Sequence, residues 1–373
     1  MKTGFKRMLS VVIAAALLFS LVPVLGAQAA QPKVNFWLTV LHNNDGESQL
    51  IDLGSGALAD FGGAARFKTL VDHLKAEAVT GMPGFPPAKS AVLMVSSGDN
   101  FLAGPEFNAG LEKGVPFYDT LALDLIGYDA IALGNHDFDF GPDVLVDFIS
   151  GYQFTQPVYL SANLDFSQEP GLQALQDAGR IAASTVIKYR GEDIGVIGAT
   201  TPALRFISSP RHVQVLEDVS GAIQAEADKL TAMGVKHIVL ISHLQSVLED
   251  LSLVSFLSGV DIVVAGGGDE VLANPGDLLI PGDESRVFGA YPLWSADADG
   301  VSVPVVTTAG NYAYVGRLVA GFDKDGNLLM IDEEASGPVR VAGGSNLDAV
   351  APDPQMQSLV VDPLVADLAD MAA

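Results

Sequence analysis

The strongest constraint in this 373-residue sequence is an arrangement that recurs five times, in which a short apolar, β-rich run ends abruptly in a cluster of Asp, Asn, His and Gly. Asn35–His42 leads into Asn44-Asp45-Gly46-Glu47, Ala91–Val95 into Ser97-Gly98-Asp99-Asn100, and Ala130–Leu133 into Gly134-Asn135-His136-Asp137-Phe138-Asp139. Later, Ile238–Ser242 leads into His243-Leu244, and Asp261–Ala265 into Gly266-Gly267-Gly268-Asp269-Glu270. Short β-branched runs bounded by Gly and Asn are strand signals, and Val158–Ala162 and Ile194–Ala199 extend the series. Helical spacing predicts helices over Ala64–Ala78, Phe117–Ile126, Asp143–Ile149 and Gly221–Met233. Alternating strands and helices predict an α/β fold whose functional loops gather at strand C-terminal ends. From Val303 the pattern changes to antiparallel strands with expected turns at Gly310 and at Asp325-Gly326, and a helix is expected from Pro354 to Ala372. Met82–Pro87 and Asn274–Asp283 read as surface loops.

If the strands are neighbours, their terminal side chains converge on one rim. Clustered carboxylates repel one another and raise their own pKa values, so a cluster that stays ionised calls for cations, and one or two divalent metals meet that need. Composition narrows the choice of ligands. The chain has no cysteine, which excludes thiolate metal sites, disulfides and a cysteine nucleophile, and it has only six histidines. With 45 acidic against 20 basic residues and a net charge of −25, it is not expected to bind a nucleic acid duplex or an anionic membrane surface.

The first residues belong to export. Lys2, Lys6 and Arg7 precede an apolar run from Leu9 to Leu25, and Ala27-Gln28-Ala29 supplies small residues at cleavage positions. This predicts a signal peptide over residues 1–29, cut after Ala29, and a periplasmic or secreted protein. No later stretch is long and apolar enough to cross a bilayer, so no stable membrane insertion is expected after signal removal.

The runs LHNNDGE, GGAARF, SSGDNFLAGP, LGNHDFDFG, ISHL and DIVVAGGGDE, in this order, resemble the calcineurin-like metallophosphoesterases, and most closely their 5′-nucleotidase branch, which includes periplasmic UDP-sugar hydrolases and 2′,3′-cyclic phosphodiesterases. The resemblance implies a four-layer α-β-β-α sandwich of two facing mixed sheets flanked by helices. It implies a catalytic domain over residues 30–350, followed by a helix over 351–373 that resembles the linker to a nucleotidase C-terminal domain. It also implies roles for individual residues. Asp99 matches the carboxylate bridging two metals, Asp45 a ligand of the first, and Asn135 and His243 ligands of the second. His136 matches the histidine that assists the leaving oxygen, and Asp139 the acid that orients it. The expected reaction is hydrolysis of a small-molecule phosphate ester or nucleotide by a metal-bound hydroxide attacking phosphorus, with the His-Asp pair assisting.

Three positions depart from the family, which has histidines where this chain has Glu47, Gly267 and Asp269. Two imidazoles become carboxylates and a third disappears. The resulting set of Asp45, Glu47, Asp99 and Asp269 is all oxygen, which suits Ca²⁺, Mg²⁺ or Mn²⁺ better than Zn²⁺ and leaves the second metal a ligand short. Each acid taken alone is what an ordinary loop or helix cap uses; their joint position after successive strands favours metal ligation. Two alternatives stay open beside the hydrolase: a catalytically degenerate metal-binding or structural domain, and a phosphodiesterase on the same site. His42, His73, His212 and His237 read as structural, and Gly62, Gly63, Arg66, Gly310 and Asn311 as packing residues. Phe101, Phe107 and Phe138 are candidates either for stacking on a base or for the core.

Overall fold

Period-two alternation in the strands decides how the layers stack. Successive side chains of a strand point to opposite faces, so a strand apolar at every position must be covered on both sides. In the computed structural model, which describes residues 33–80 and 86–373, Leu38, Val40, Leu93 and Val95 from one sheet pack in a single buried cluster with Val239, Ile241, Ile262 and Val264 from another. The intervening Leu41, Met94 and Ile131 point the other way, into a cluster shared with helices Ala64–Thr80, Pro105–Lys113, Tyr118–Ile126 and Pro142–Ser150. Ile238, Leu240, Val263 and Ala265 likewise pack against helices Val219–Ala232 and Val247–Val254. The order across the unit Val34–Ala373 is therefore helix, sheet, sheet, helix, the four-layer α-β-β-α sandwich expected. Each fully buried Leu, Val or Ile adds about 1.5–3 kcal/mol. The predicted export signal over residues 1–29 and most of the Met82–Pro87 loop lie outside the described residues.

The first sheet has eight strands. Phe36–Asn43, Ser90–Ser96, Ala130–Ala132, Val158–Leu160 and Ile181–Ala182 run parallel; Tyr314–Phe322 joins antiparallel to Phe36–Asn43, and Leu328–Ile331 and Gly337–Arg340 join it in turn. The second sheet has six strands. Glu192–Thr200, His237–His243, Ile262–Gly266 and Ser302–Val306 form its parallel centre, with Ser184–Tyr189 and Leu293–Ala296 antiparallel at the edges. Parallel strands need crossover connections, and most of these crossovers carry the flanking helices; the one from Ile262–Gly266 to Ser302–Val306 instead runs through short strands and a turn of 3-10 helix.

One expectation fails. The segment around Gly310 does not join two strands of a hairpin, because Ser302–Val306 belongs to the second sheet and Tyr314–Phe322 to the first. Two β-rich runs separated by a Gly-containing stretch have the same composition whether they pair or diverge, and only the pairing partners differ. Here the intervening segment passes over the rim, where Asn311 N donates to Asp45 O at 2.7 Å. The turn at Asp325-Gly326 does join antiparallel neighbours. The edge strands Ser184–Tyr189 and Leu293–Ala296 and the helices Pro105–Lys113 and Val247–Val254 were not expected, since each is short and half of its residues face solvent or a helix. The C-terminal helical stretch Pro354–Met371 buries Met356, Val360 and Leu364 in the same core as the helices of the first sheet, and Tyr118 Oη donates to Asp367 Oδ2 at 2.7 Å.

The sheets approach closely at Gly198. A Cβ there would lie 2.3 Å from the carbonyl oxygen of Leu160 on the facing sheet, and Gly198 O accepts from Ala162 N at 2.8 Å. Because backbone atoms cannot rotate out of the way, Gly198→Ala is expected to destabilise by about 1–3 kcal/mol, read as a lower urea midpoint with an unchanged slope.

Candidate metal centre

Both sheets deliver their parallel strand ends to one rim, and the loops there continue the strand ladder. Asp45 N donates to Gly98 O and Glu47 N to Asp99 O, each at 3.0 Å, and Ser48 N to Asn100 O at 3.2 Å. The rim loops are strained. Asp45, Glu47, Ser48, Asp99, Asn311 and Tyr312 adopt left-handed backbone conformations with φ between +49° and +63°. Such conformations are unfavourable for residues with a side chain and persist where surrounding structure enforces them. Here the loops from residues 44–48, 97–100 and 310–312 brace one another. Gly134 completes the brace, since a Cβ on it would fall 2.1 Å from Asp99 Oδ1.

At the centre, Asp45, Asp99 and His243 are all buried, and one ligand atom from each lies within 4.8 Å of the others. His243 Nδ1 lies 2.6 Å from Ser97 O. A carbonyl only accepts, so Nδ1 carries the proton of that bond and Nε2 is the atom presented to the carboxylates. Nε2 sits 2.8 Å from Asp99 Oδ2, yet no hydrogen bond of good alignment satisfies it. Asp45 Oδ2 accepts from Asn44 Nδ2 at 2.6 Å and from Gly267 N at 3.0 Å. Burial pushes the Asp45 carboxyl above its ordinary range; His243 opposes this and Asp99 adds to it. Burial works against a charge on His243, but Asp99, then Asp45, raise it to about 10. The pocket therefore favours a positive charge among these three side chains. An imidazole nitrogen with two carboxylates is an ordinary donor set for a divalent cation, and the orphaned, buried Nε2 fits that use.

His136 stands beside this group. Its backbone N donates to Asp99 Oδ1 at 2.7 Å, and its Nδ1 lies 2.7 Å from Asp139 Oδ2, whose other oxygen accepts from Ser208 Oγ at 2.9 Å. The hydrogen bond to Asp139 raises the imidazole to about 9 against the cost of partial burial, with Asp99 adding to the rise. The His136 side chain is 30% exposed, so it faces the opening of the site while Asp99 lies beneath.

The remaining candidates are placed less uniformly. Asn135 is buried, and its Oδ1 accepts from Gln245 Nε2 at 2.8 Å. Glu47 is half-buried; its carboxyl is raised by burial first and by Asp269 second, so these two acids share a neighbourhood at the edge of the site. Asp269 itself is exposed, beside a 350 Å³ cavity that Gly310 and Asn311 also line. Glu270 Oε1 instead accepts from Ser246 Oγ and Val247 N at the start of the Val247–Val254 helix. Phe101, Phe107 and Phe138 are wholly buried in the core, which leaves none of them a face for a base. Arg66 donates to the carbonyls of Gly62, Ala59 and Phe61, a packing role. Gln245 and Ser208 were not anticipated. Neither carries a sequence signal, because each acts through a partner far away in the chain.

The Asp139 contact yields a direct test. In metal-free protein His136 is expected to titrate near pH 9, and Asp139→Asn to bring that titration down toward the ordinary 6.5, followed by NMR of the imidazole resonances. Because the folded value is the higher one, this protonation contributes stability that is complete below pH 6.5 and lost as pH rises through 9.

Comparison with known proteins places the geometry in a family. The chain is 33% identical over 308 residues to the 5′-nucleotidase of Mus musculus, an alignment covering 80% of this chain and 49% of that protein. It is 31% identical to the solved 5′-nucleotidase precursor from Thermus thermophilus, with a TM-score of 0.73, covering 90% of this chain and 59% of the other. The calcineurin-like phosphoesterase YfkN from Bacillus subtilis shares the fold, at 18% identity and a TM-score of 0.63, with 92% of this chain and all of that one covered. No family model matches the chain. The chain spans about half the length of the curated relatives it matches. With that fold, and with the Asp-Asp-His cluster at its rim, the chain belongs to the calcineurin-like metallophosphoesterases, as the calcineurin-like domain of their 5′-nucleotidase branch.

Proposed function

We propose that the chain is an exported, metal-dependent phosphoester hydrolase acting on nucleotides or related phosphate esters. The observation that carries this reading is the junction at Asp99, in the cluster with Asp45: one oxygen faces the His243 imidazole, and the other accepts the backbone N–H of His136. Sites for charge neutralisation and for proton delivery are thereby fixed to the same carboxylate. Asp45, Asp99 and His243 would hold a divalent cation, which would supply Lewis acidity to neutralise charge on phosphoryl oxygens and to make a nearby water more acidic. The ligand group itself holds Asp45, Asp99 and His243 but neither Glu47 nor Asp269; Glu47, whose carboxyl is influenced by both Asp269 and Asp99, keeps the surroundings rich in carboxylate oxygen, which favours Ca²⁺, Mg²⁺ or Mn²⁺ over Zn²⁺.

The chain's own groups do the rest. Asp139, anchored by Ser208, fixes the ring of His136 by its Nδ1 and favours its protonated form. Nε2 then holds the proton that a departing alkoxide oxygen needs. Exposure of this ring at the mouth of the site lets a substrate oxygen reach it, while Asp45 and Asp99 stay buried. Among the described residues no helix is long and apolar enough to cross a membrane. The basic, then apolar, N-terminal sequence supports export, and we assign residues 30–350 to the catalytic domain on the extent of the motifs.

Hydrolysis of aryl phosphate mono- and diesters, after chelation and re-addition of Ca²⁺, Mg²⁺, Mn²⁺ or Zn²⁺, tests the proposal. Asp99→Ala is expected to abolish both metal content and turnover. His136→Ala is expected to slow turnover by about 10²–10⁴-fold while sparing metal content. No turnover with any metal in folded protein would point to a binding domain instead, and loss of metal on changing His136 would contradict its role.

A further inference from the structure

We infer that Gln245 fills the position of a second cation, so that this site holds one divalent ion, between Asp45, Asp99 and His243. The inference rests on the hydrolase reading above and names how its metal site differs from a two-metal one. Beside Asp99, the donors that remain for a second ion are the Asn135 carboxamide and the His243 ring. The carboxamide is already engaged, and the free nitrogen of the His243 ring belongs to the first ion. Gln245 Nε2 donates to Asn135 Oδ1 at 2.8 Å, so an amide N–H₂ group, the positive end of its dipole, stands against the oxygen that a cation would need. Exchanging the amide ends of both side chains leaves the same neutral, mutually satisfied pair. His243 has one nitrogen on Ser97 O and directs the other toward Asp99.

Gly267 explains how Gln245 reaches this place. Its backbone is left-handed, with φ +82°, and a Cβ on it would lie 3.1 Å from His243 Nε2 and 3.2 Å from Gln245 Nε2. Both distances are tighter than most Cβ contacts, so a side chain at residue 267 would press on the His243 ring and on the Gln245 amide where they now sit. Gly267 N meanwhile donates to Asp45 Oδ2, tying the same loop to the cation site that remains. The loss of a side chain at 267 and the presence of a neutral amide at 245 are thus one spatial arrangement. A carboxamide satisfies Asn135 without adding charge to a neighbourhood that already holds Asp45, Asp99 and Asp137 in burial.

Equilibrium dialysis of the purified full-length chain against Mn²⁺ alone, with electron paramagnetic resonance of the bound ion, reads the stoichiometry without reference to activity. One Mn²⁺ per chain with the six-line spectrum of an isolated ion is expected. Gln245→Glu turns the amide donor into an anionic ligand facing Asn135 and His243, and is expected to raise the count to two, with a broadened, exchange-coupled spectrum. Two coupled Mn²⁺ ions in the unaltered protein would overturn the inference while leaving the hydrolase reading intact. A count of one in the unaltered protein that stays at one in both Gln245→Glu and Gln245→His would overturn the role given to Gln245. No bound Mn²⁺ at all would overturn the metal site itself, and with it both readings.

Discussion

Two carboxylates, Asp45 and Asp99, are buried side by side, and the arrangement of the rim follows from that. Like charges in a poorly solvated place repel strongly, and such a pair persists only with donors and positive charge close by. Asn44 Nδ2 and the backbone N–H groups of Gly267 and His136 supply the donors, and His243 supplies a nitrogen placed for a proton or a cation. The left-handed backbone at Asp45 and Asp99 aims both side chains inward, against the preference of residues that carry a Cβ. That strain is sustained by the parallel centres of two sheets, which share a buried apolar layer.

Placing the site between two sheets also explains why its parts come from distant stretches of sequence. Asp45, Asp99 and His136 follow strands of the first sheet, whereas His243 and Gly267 follow strands of the second. Cross-sheet contacts such as Ser97 Oγ to Val264 O, at 2.8 Å, lock the two sets of loops in register. Loops on such a scaffold can change residue type without disturbing the layers beneath, which is how Glu47, Gly267 and Asp269 differ from the family pattern while the sandwich is kept. The scaffold also fixes what a changed residue meets. A side chain at Gly267 would meet both the His243 ring and the Gln245 amide, two positions further along.

Strand positions were legible in the sequence because burial on both faces writes an unbroken apolar run, as in Ile238–Ser242, and because each run stops at Gly, Asn or Asp. The convergence of Asp45, Asp99 and His243 was legible for the same reason, since strands of similar length in parallel sheets end together. The passage through Gly310 was not, because pairing partners leave no mark on composition. Nor were Ser208 and Gln245, whose importance lies in contacts with Asp139 and Asn135 across large sequence separations. Glu47 and Asp269 stood together in the sequence reading as equal acids. In three dimensions one is half-buried and the other exposed, because Asp269 lies beyond the last strand residue on a Gly-rich stretch that turns outward.

The sequence by itself determined the α/β layering, the rim on which the chemistry gathers, and the oxygen-rich, cysteine-free donor set, since all three follow from side-chain type and from the two-residue period of strands. Tertiary structure alone decided which oxygen of Asp99 meets the His243 imidazole and which the His136 backbone N–H, how His136 acquires its elevated basicity, and which neutral side chain stands beside Gly267. Those outcomes depend on distances of about 3 Å between residues tens to hundreds of positions apart, and a linear pattern specifies the direction of a side chain far better than its distance from a neighbour on another strand.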